Sequence, residues 1–160
     1  MKFALGADHA GFGFREKLRR YLEDQGHEVQ DFGTYDDASC DYPEYAHRVA
    51  QTVARDPDVR GLLICGSGQG MVMTANRYDG VRAALCLSGE MARKTREHND
   101  ANCLVLAERS MEYDQAVEAV DAFIATSFDG GRHQRRIDKI DNPPLHEVTH
   151  PLVRTKLGRL

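Results

Sequence analysis

The sequence predicts an α/β domain in which helices cover a central parallel sheet of about five strands. Short apolar runs alternate along the chain with longer segments of helical period, which is the pattern of βαβ units. In addition, residues 62–64 are apolar at successive positions, as expected of a central strand that helices cover on both faces. A chain of 160 residues is long enough for one such domain with its own core.

The strands are predicted at the short apolar runs, each of which is bounded by turn or polar residues. The first run leads directly into a helical segment, and the third leads into a glycine-rich loop that joins it to another helix. Polar residues follow most of the runs, as expected where a chain leaves a parallel sheet. The predicted strands are residues 2–7, 28–32, 61–65, 81–85 and 103–106.

The helices are predicted where apolar residues recur at helical spacing. Phe14, Leu18 and Leu22 form one such stripe, and Gly26 caps that helix at its carboxyl end. Pro43 begins the next helix, because its missing N–H is not needed in the first turn. A further short helix is expected after residue 131. The longer predicted helices are residues 11–25, 43–55, 88–98 and 112–126.

The composition excludes several classes of protein. A formal net charge of −4 gives no long-range attraction to nucleic acid or to an anionic membrane, so that local arginine clusters must hold any anion. No apolar run approaches the ~20 residues that span a bilayer, and we expect a cytoplasmic protein. The four cysteines form no CxxC pair and are predicted to be free thiols rather than disulfides or zinc ligands.

Polar side chains follow four of the predicted strands. Asp8 and His9 follow the first strand, the Cys65 loop follows the third, residues 87–90 follow the fourth, and Arg109 follows the fifth. Ligands of open parallel sheets bind at the carboxyl ends of the strands. The sequence therefore predicts a cleft that gathers a carboxylate, an imidazole, a thiol and a guanidinium.

The loop Cys65-Gly66-Ser67-Gly68-Gln69-Gly70 joins a strand to a helix, so that its N–H groups can face an anion. Its spacing fits neither a P-loop nor a dinucleotide fingerprint. An anion or oxyanion site and a tight turn that needs glycine only for its geometry both remain open. We expect the helix N-terminus to lower the pKa of Cys65, although a buried inert cysteine is the commoner case. Cys86 and Cys103 are predicted to be buried, and Cys40 to be a surface thiol.

His98 and two arginines are the remaining candidates. His98 ends a polar helix, where it can serve as a general acid or base or can simply interact with the helix dipole. Arg132 and Arg136 share one helical face and can bind a phosphate together or form a solvated basic patch. We assign no metal ion, because His133 has no partner at metal-ligand spacing.

Five motifs taken together resemble the type B ribose-5-phosphate isomerase family, which includes galactose-6-phosphate isomerase subunits. The resemblance covers residues 1–140 in order and spacing, and implies a Rossmann-like three-layer sandwich with a mostly parallel sheet. It also implies a homodimer or dimer of dimers with active sites at the interface, and neither metal nor cofactor. The motifs are residues 6–11, 41–43, 65–70, 97–102 and 130–136.

The resemblance implies a reaction and its residues. An aldose phosphate, ribose 5-phosphate, would interconvert with ribulose 5-phosphate through a cis-enediolate. The implied catalytic residues are Cys65 as base, Ser67 for proton exchange between the two oxygens, His98 for ring opening and Asp8 for orienting hydroxyls. The implied substrate-binding residues are His9, Tyr42, Gly66, Gly68, Gln69, Gly70, Asn99, Arg109, Arg132 and Arg136.

Departures from the family pattern leave the substrate open. Gln69 stands where an apolar residue is common, and Glu108 where a small residue is common. Two alternatives remain. The chain could be an isomerase of another four- to six-carbon sugar phosphate, or a non-catalytic subunit that binds a sugar phosphate. Residues 1–140 are expected to form the isomerase domain, and residues 141–160 a C-terminal extension that packs on a neighbouring subunit.

Overall fold

Five parallel strands form a single sheet in the computed structural model, which describes residues 1–142. The strands are β1 (Lys2–Ala7), β2 (Glu28–Asp31), β3 (Val59–Cys65), β4 (Ala83–Leu85) and β5 (Cys103–Ala107). Their order across the sheet is β2-β1-β3-β5-β4, and every neighbouring pair is parallel. The predicted α/β fold is confirmed.

Six helices surround the sheet, close to the predicted positions. They are α1 (Phe12–Asp24), α2 (Tyr42–Arg55), α3 (Gln69–Ala75), α4 (Gly89–Asn99), α5 (Tyr113–Ala125) and α6 (Arg132–Asp141). Two short 3-10 helices, His9–Gly11 and Glu108–Ser110, follow β1 and β5. Two strands begin two residues from their predicted positions: β3 begins at Val59 rather than at residue 61, and β4 at Ala83 rather than at residue 81. Arg82 donates its N–H to the side chain of Asn102 instead of to a neighbouring strand.

The side chains of the central strand alternate between two apolar layers. Leu62 and Ile64 pack with residues of α1, α4 and α5, whereas Leu63 and Cys65 pack with residues of α2 and α3 on the other face. Each fully buried leucine contributes about 1.5–3 kcal/mol relative to an exposed one. The result is the predicted three-layer sandwich, in which the carboxyl ends of β1, β3 and β5 lie side by side.

A network of charged side chains lies between the carboxyl end of α4 and the amino end of β5. It is at the amino-terminal edge of the sheet, opposite the edge where the strands end. Asp100 adopts a left-handed backbone conformation with φ of 44°. Arg96 and Arg82 each bind one oxygen of its carboxylate, at 2.7 Å and 3.0 Å. Arg82 also donates to the carbonyl of Asn99 at 3.1 Å. These contacts fix the last turn of α4, which contains His98.

Other predictions concern the chain as a whole. All four cysteines are free, as predicted. Among residues 1–142, no helix is long and apolar enough to cross a membrane. Of the predicted C-terminal extension, residues 143–160 lie outside the described part of the chain.

Candidate active site

The thiol of Cys65 lies at the carboxyl end of β3 beside a buried carboxylate. Cys65 is 7% exposed and Asp8 is 5% exposed. The thiol donates a hydrogen bond to Oδ2 of Asp8 at 3.0 Å. The other carboxylate oxygen accepts the N–H groups of Ala10 and Gly11, at 3.0 Å and 3.1 Å. Asp8 is therefore fixed by the backbone of the first 3-10 helix, and it in turn fixes the thiol.

The expectation of a lowered thiol pKa is wrong for this chain. Burial raises the pKa of Cys65, and the hydrogen bond to Asp8 raises it further. The N–H groups of Gly68 and Ser67 act in the opposite direction, as a helix N-terminus should, but do not prevail. Sequence reasoning recognised the loop amides but could not see how deeply the thiol is buried.

The glycine loop bends sharply between β3 and α3. Gly68 has a φ of +73°, and a Cβ at this position would lie 2.6 Å from Cδ1 of Leu85. Only glycine fits this conformation and this space. The side chains of Ser67 and Gln69 are exposed, and the carbonyl of Gly66 accepts the N–H of Arg109 at 3.1 Å. The loop thus presents its polar groups to solvent while the thiol beneath remains buried.

Tyr42 and His9 border the same region. A Cβ on Gly70 would lie 2.3 Å from the ring carbon Cζ of Tyr42, so that this tyrosine packs directly on the first turn of α3. The Nδ1 atom of His9 accepts the N–H of Cys40 at 3.3 Å and lies 3.9 Å from its thiol. Cys40, predicted to be a surface thiol, is half-buried against this imidazole.

We call this region the thiol pocket. The thiol and the carboxylate that the strand-end argument predicted to meet are 3.0 Å apart, the side chain of Arg109 packs beside Gly66, and the imidazole of His9 contacts Cys40. The residues of the thiol pocket are Asp8, His9, Tyr42, Cys65, Gly66, Ser67, Gly68, Gln69, Gly70 and Arg109.

The remaining predicted residues lie elsewhere. His98 stacks face to face on His133, with ring centroids 4.4 Å apart and an interplanar angle of 3°. Arg132 donates from Nε to Nε2 of His133 at 3.5 Å, and both Arg132 and Arg136 are exposed. We call His98, Asn99, Arg132, His133 and Arg136 the histidine-arginine cluster.

The thiol pocket and the histidine-arginine cluster lie at opposite edges of the sheet. Cys65 is paired with Ala107 at the carboxyl end of β5, whereas His98 precedes Cys103 at the amino end of the same strand. The length of β5 alone separates the two edges by about 13 Å. One chain therefore does not bring all the predicted site residues into one pocket.

A cavity lies at the amino-terminal edge of the sheet. It has a volume of about 440 Å³, and its lining includes Asn99, Thr95 and Arg82 but no residue of the thiol pocket. This cavity does not join the two groups of residues.

His133 has two neighbours that sequence spacing could not find. One nitrogen of His98, one nitrogen of His133 and one carboxylate oxygen of Asp129 lie within 4.8 Å of one another. These residues come from α4, from α6 and from the loop before α6. Metal-ligand motifs are recognised within one segment, and three separate segments leave no such signal. Asp129 is the residue that sequence reasoning missed entirely.

Comparisons with known proteins all point to one family of isomerases. Residues 3–140 match the family model described as Ribose/Galactose Isomerase. Ribose-5-phosphate isomerase B of Escherichia coli is 40% identical over 139 residues, which cover 87% of this chain and 93% of that protein.

Solved structures resemble the chain equally closely. The ribose 5-phosphate isomerase of Thermotoga maritima has a TM-score of 0.85 and 51% identity, over 88% of this chain and 97% of that one. Ribose-5-phosphate isomerase B of Mycoplasma genitalium, solved with bound ribulose-5-phosphate, has a TM-score of 0.85 and 40% identity, over 88% and 93% of the two chains.

Proposed function

The chain belongs to the ribose/galactose isomerase family and is an isomerase of sugar phosphates, and we propose that it interconverts ribose 5-phosphate and ribulose 5-phosphate. The observation that carries the proposal is the thiol of Cys65, held 3.0 Å from Asp8 at the start of a glycine loop. The reaction moves one hydrogen between adjacent carbons, which a single base can perform.

Cys65 is the base in this proposal. Its thiolate removes the proton from C2 of the opened aldose while the C1 carbonyl takes up the electron pair, giving a cis-enediolate. The thiol then returns a proton to C1, and the C2 oxygen becomes the ketone. Asp8 holds the sulfur in one position through its hydrogen bond, while the same bond raises the pKa of the thiol.

The glycine loop stabilises the enediolate. Backbone N–H groups from Gly66 to Gly70 face the developing oxyanion, and one such donor is worth about 3 kcal/mol in the transition state. The hydroxyl of Ser67 is exposed above the thiol and exchanges a proton between the two substrate oxygens. The absence of side chains on the glycines lets the substrate approach these amides closely.

The histidine-arginine cluster supplies ring opening and phosphate binding. His98 moves the proton between the ring oxygen and the anomeric hydroxyl, and Asn99 orients a hydroxyl. Arg132 and Arg136 lie one helical turn apart and can together bind a phosphate dianion. His9 and Arg109 bind the phosphate from the thiol pocket.

A second copy of the chain completes the site. The thiol pocket and the cluster lie at opposite edges of one sheet, so a substrate that contacts both must lie between two chains. In a two-fold dimer, each chain would give its thiol pocket to one site and its cluster to the other. The proposal therefore includes a homodimer, or a dimer of dimers, with two sites at each interface.

Replacement of Cys65 tests the proposal. We expect Cys65→Ala to lose isomerisation and the exchange of the C2 proton with solvent, by at least about 1,000-fold, because no other base replaces the thiolate. Binding of a non-isomerisable phosphate analogue, measured by calorimetry, should remain within a few-fold. Cys86→Ala is the matched control, since Cys86 is a buried thiol outside the pocket. Full activity of Cys65→Ala would rule out the mechanism.

A substrate panel tests the specificity. Four- to six-carbon aldose phosphates should be assayed with a chelator present, and ribose 5-phosphate should give the highest kcat/KM. A preference for another sugar phosphate would retain the mechanism and change the substrate. Loss of activity with the chelator would contradict a reaction that needs no metal ion.

A further inference from the structure

We propose that His98, Asp129 and His133 form a binding site for a divalent transition-metal ion, with Zn²⁺ as the preferred ion, and that the bound ion inhibits the enzyme. The inhibition rests on the proposed role of His98 in ring opening, whereas the binding does not. Two imidazoles and one carboxylate are a ligand set that Zn²⁺ favours in proteins, and three protein ligands leave one position for water.

The three ligand atoms are near enough to one another for such a site, but the side chains must turn to coordinate one ion. The three ligand atoms lie within 4.8 Å of one another, whereas ligands of tetrahedral zinc are about 3.3 Å apart. His133 is 7% exposed and serves as the fixed ligand. Asp129 is exposed, so that its side chain can rotate toward the imidazoles without disturbing the core. Coordination also requires the imidazole of His98 to turn out of its parallel stack on His133, because stacked rings do not direct their lone pairs at one ion.

The backbone around the three residues is already held in place. The N–H of Asp129 donates to the carbonyl of Glu97 at 3.0 Å, one residue before His98. At the other end of the same loop, Nε of Arg96 donates to the carbonyl of Thr126 at 3.3 Å. The loop before α6 is therefore attached twice to α4, which keeps the carboxylate beside the histidines. Little ordering is needed when an ion binds.

The neighbouring charges make the site weak and reversible. Arg132 and Arg136 lie on the same helix as His133 and oppose a cation. The hydrogen bond from Arg132 to His133 is 3.5 Å long, the outer limit for such a bond, and an ion can displace it. An ion bound here occupies the lone pair of His98 that ring opening requires. Mg²⁺ prefers oxygen ligands and should not bind.

Metal binding can be measured without any assay of activity. Co²⁺ should give the visible absorption of a tetrahedral N/O site with the full-length protein, and Zn²⁺ should displace it. Asp129→Asn removes a charged ligand from an exposed position and should weaken Co²⁺ binding at least ~10-fold. Asp138→Asn, which changes an exposed carboxylate on α6 outside the site, should bind as the wild type does. Equal binding by Asp129→Asn and the wild type would overturn the site.

An activity assay distinguishes inhibition by Zn²⁺ at this site from inhibition by Zn²⁺ bound to Cys65. Zn²⁺ should inhibit the wild type, chelator should restore activity, and Asp129→Asn should need at least ~10-fold more Zn²⁺ for half-inhibition. If Zn²⁺ acted on Cys65 instead, Asp129→Asn would be inhibited as the wild type is, and the inhibitory role would be wrong. Absence of isomerase activity in the chelated wild type would refute the proposed function, while the Co²⁺ measurement would still test the site.

Discussion

The thiol pocket and the histidine-arginine cluster differ in almost every physical property. Cys65 and Asp8 are buried and hydrogen-bonded to each other and to the backbone. Arg132 and Arg136 are exposed on a terminal helix. A base that must act at one carbon benefits from a rigid, dry environment, whereas a phosphate clamp benefits from accessible charge. The comparison fits the proposal that one chain carries two half-sites, each suited to one part of the reaction.

The two regions also differ in what holds them in place. The thiol pocket depends on the ends of three strands and on glycines that permit close contact, as at Gly68 and Leu85. The cluster depends on helix packing and on the ion pairs around Asp100. Substitutions of Cys65 and its glycine loop should therefore change the chemical step, and substitutions of the exposed arginines of the cluster should change substrate binding.

After Cys65→Ala, the next largest effect is expected at Gly68 in the thiol pocket. Gly68→Ala introduces a Cβ 2.6 Å from Leu85 at a φ of +73°, which should shift the loop amides and lower kcat at least ~100-fold. Gly80→Ala is the control, because Gly80 has a φ of +75° and nothing within 4 Å of its Cβ position. It carries the same backbone strain without the clash. Equal losses of kcat in the two variants would show that strain alone is responsible.

An intermediate effect is expected at Arg136 in the cluster. Arg136→Ala removes one charged partner of the phosphate and should raise KM ~10- to 100-fold, with kcat within a few-fold. Arg135→Ala removes an exposed arginine that lies off the shared face of Arg132 and Arg136 and should change KM little. Steady-state kinetics on ribose 5-phosphate distinguish the two. A large fall in kcat for Arg136→Ala would contradict the prediction that this arginine acts in substrate binding rather than in the chemical step.

The smallest effect is a shift in pH dependence at Asp8. In the proposed mechanism the thiolate is the active form. Burial and Asp8 raise the pKa of Cys65, so kcat/KM should still rise with pH where an ordinary cysteine, with a pKa of about 8.5, has already ionised. Asp8→Asn removes the negative charge while its remaining oxygen can still accept the N–H groups of Ala10 and Gly11. The rise should then move to lower pH, and an unmoved profile would contradict this role of Asp8.

Most of the fold could be predicted because its signals are local. Apolar runs, helical stripes and residues such as Pro43 indicate elements without knowledge of the rest of the chain. β4 is shorter than predicted because the N–H of Arg82 donates to the side chain of Asn102. This contact joins residues that are 20 positions apart in sequence. Such contacts leave no periodic pattern.

The candidate site was predicted in composition but not in arrangement. Strand ends correctly brought Asp8, Cys65 and Arg109 together, since parallel strands share one edge. The raised pKa of Cys65 depends on burial, which sequence spacing does not report. The placement of Asp129 beside His98 depends on how a loop packs on α4. These features require the tertiary structure.

Subunit complementation tests the central claim that two chains share each site. Cys65→Ala and His98→Ala should each be inactive alone. Mixed under conditions of subunit exchange, they should recover about a quarter of wild-type activity, because half of the dimers are mixed and each mixed dimer has one intact site of two. A mixture of Cys65→Ala with Gly68→Ala, both in the thiol pocket, should recover nothing. Failure of the first mixture to regain activity, despite mixed dimers seen by native mass spectrometry, would contradict the shared site.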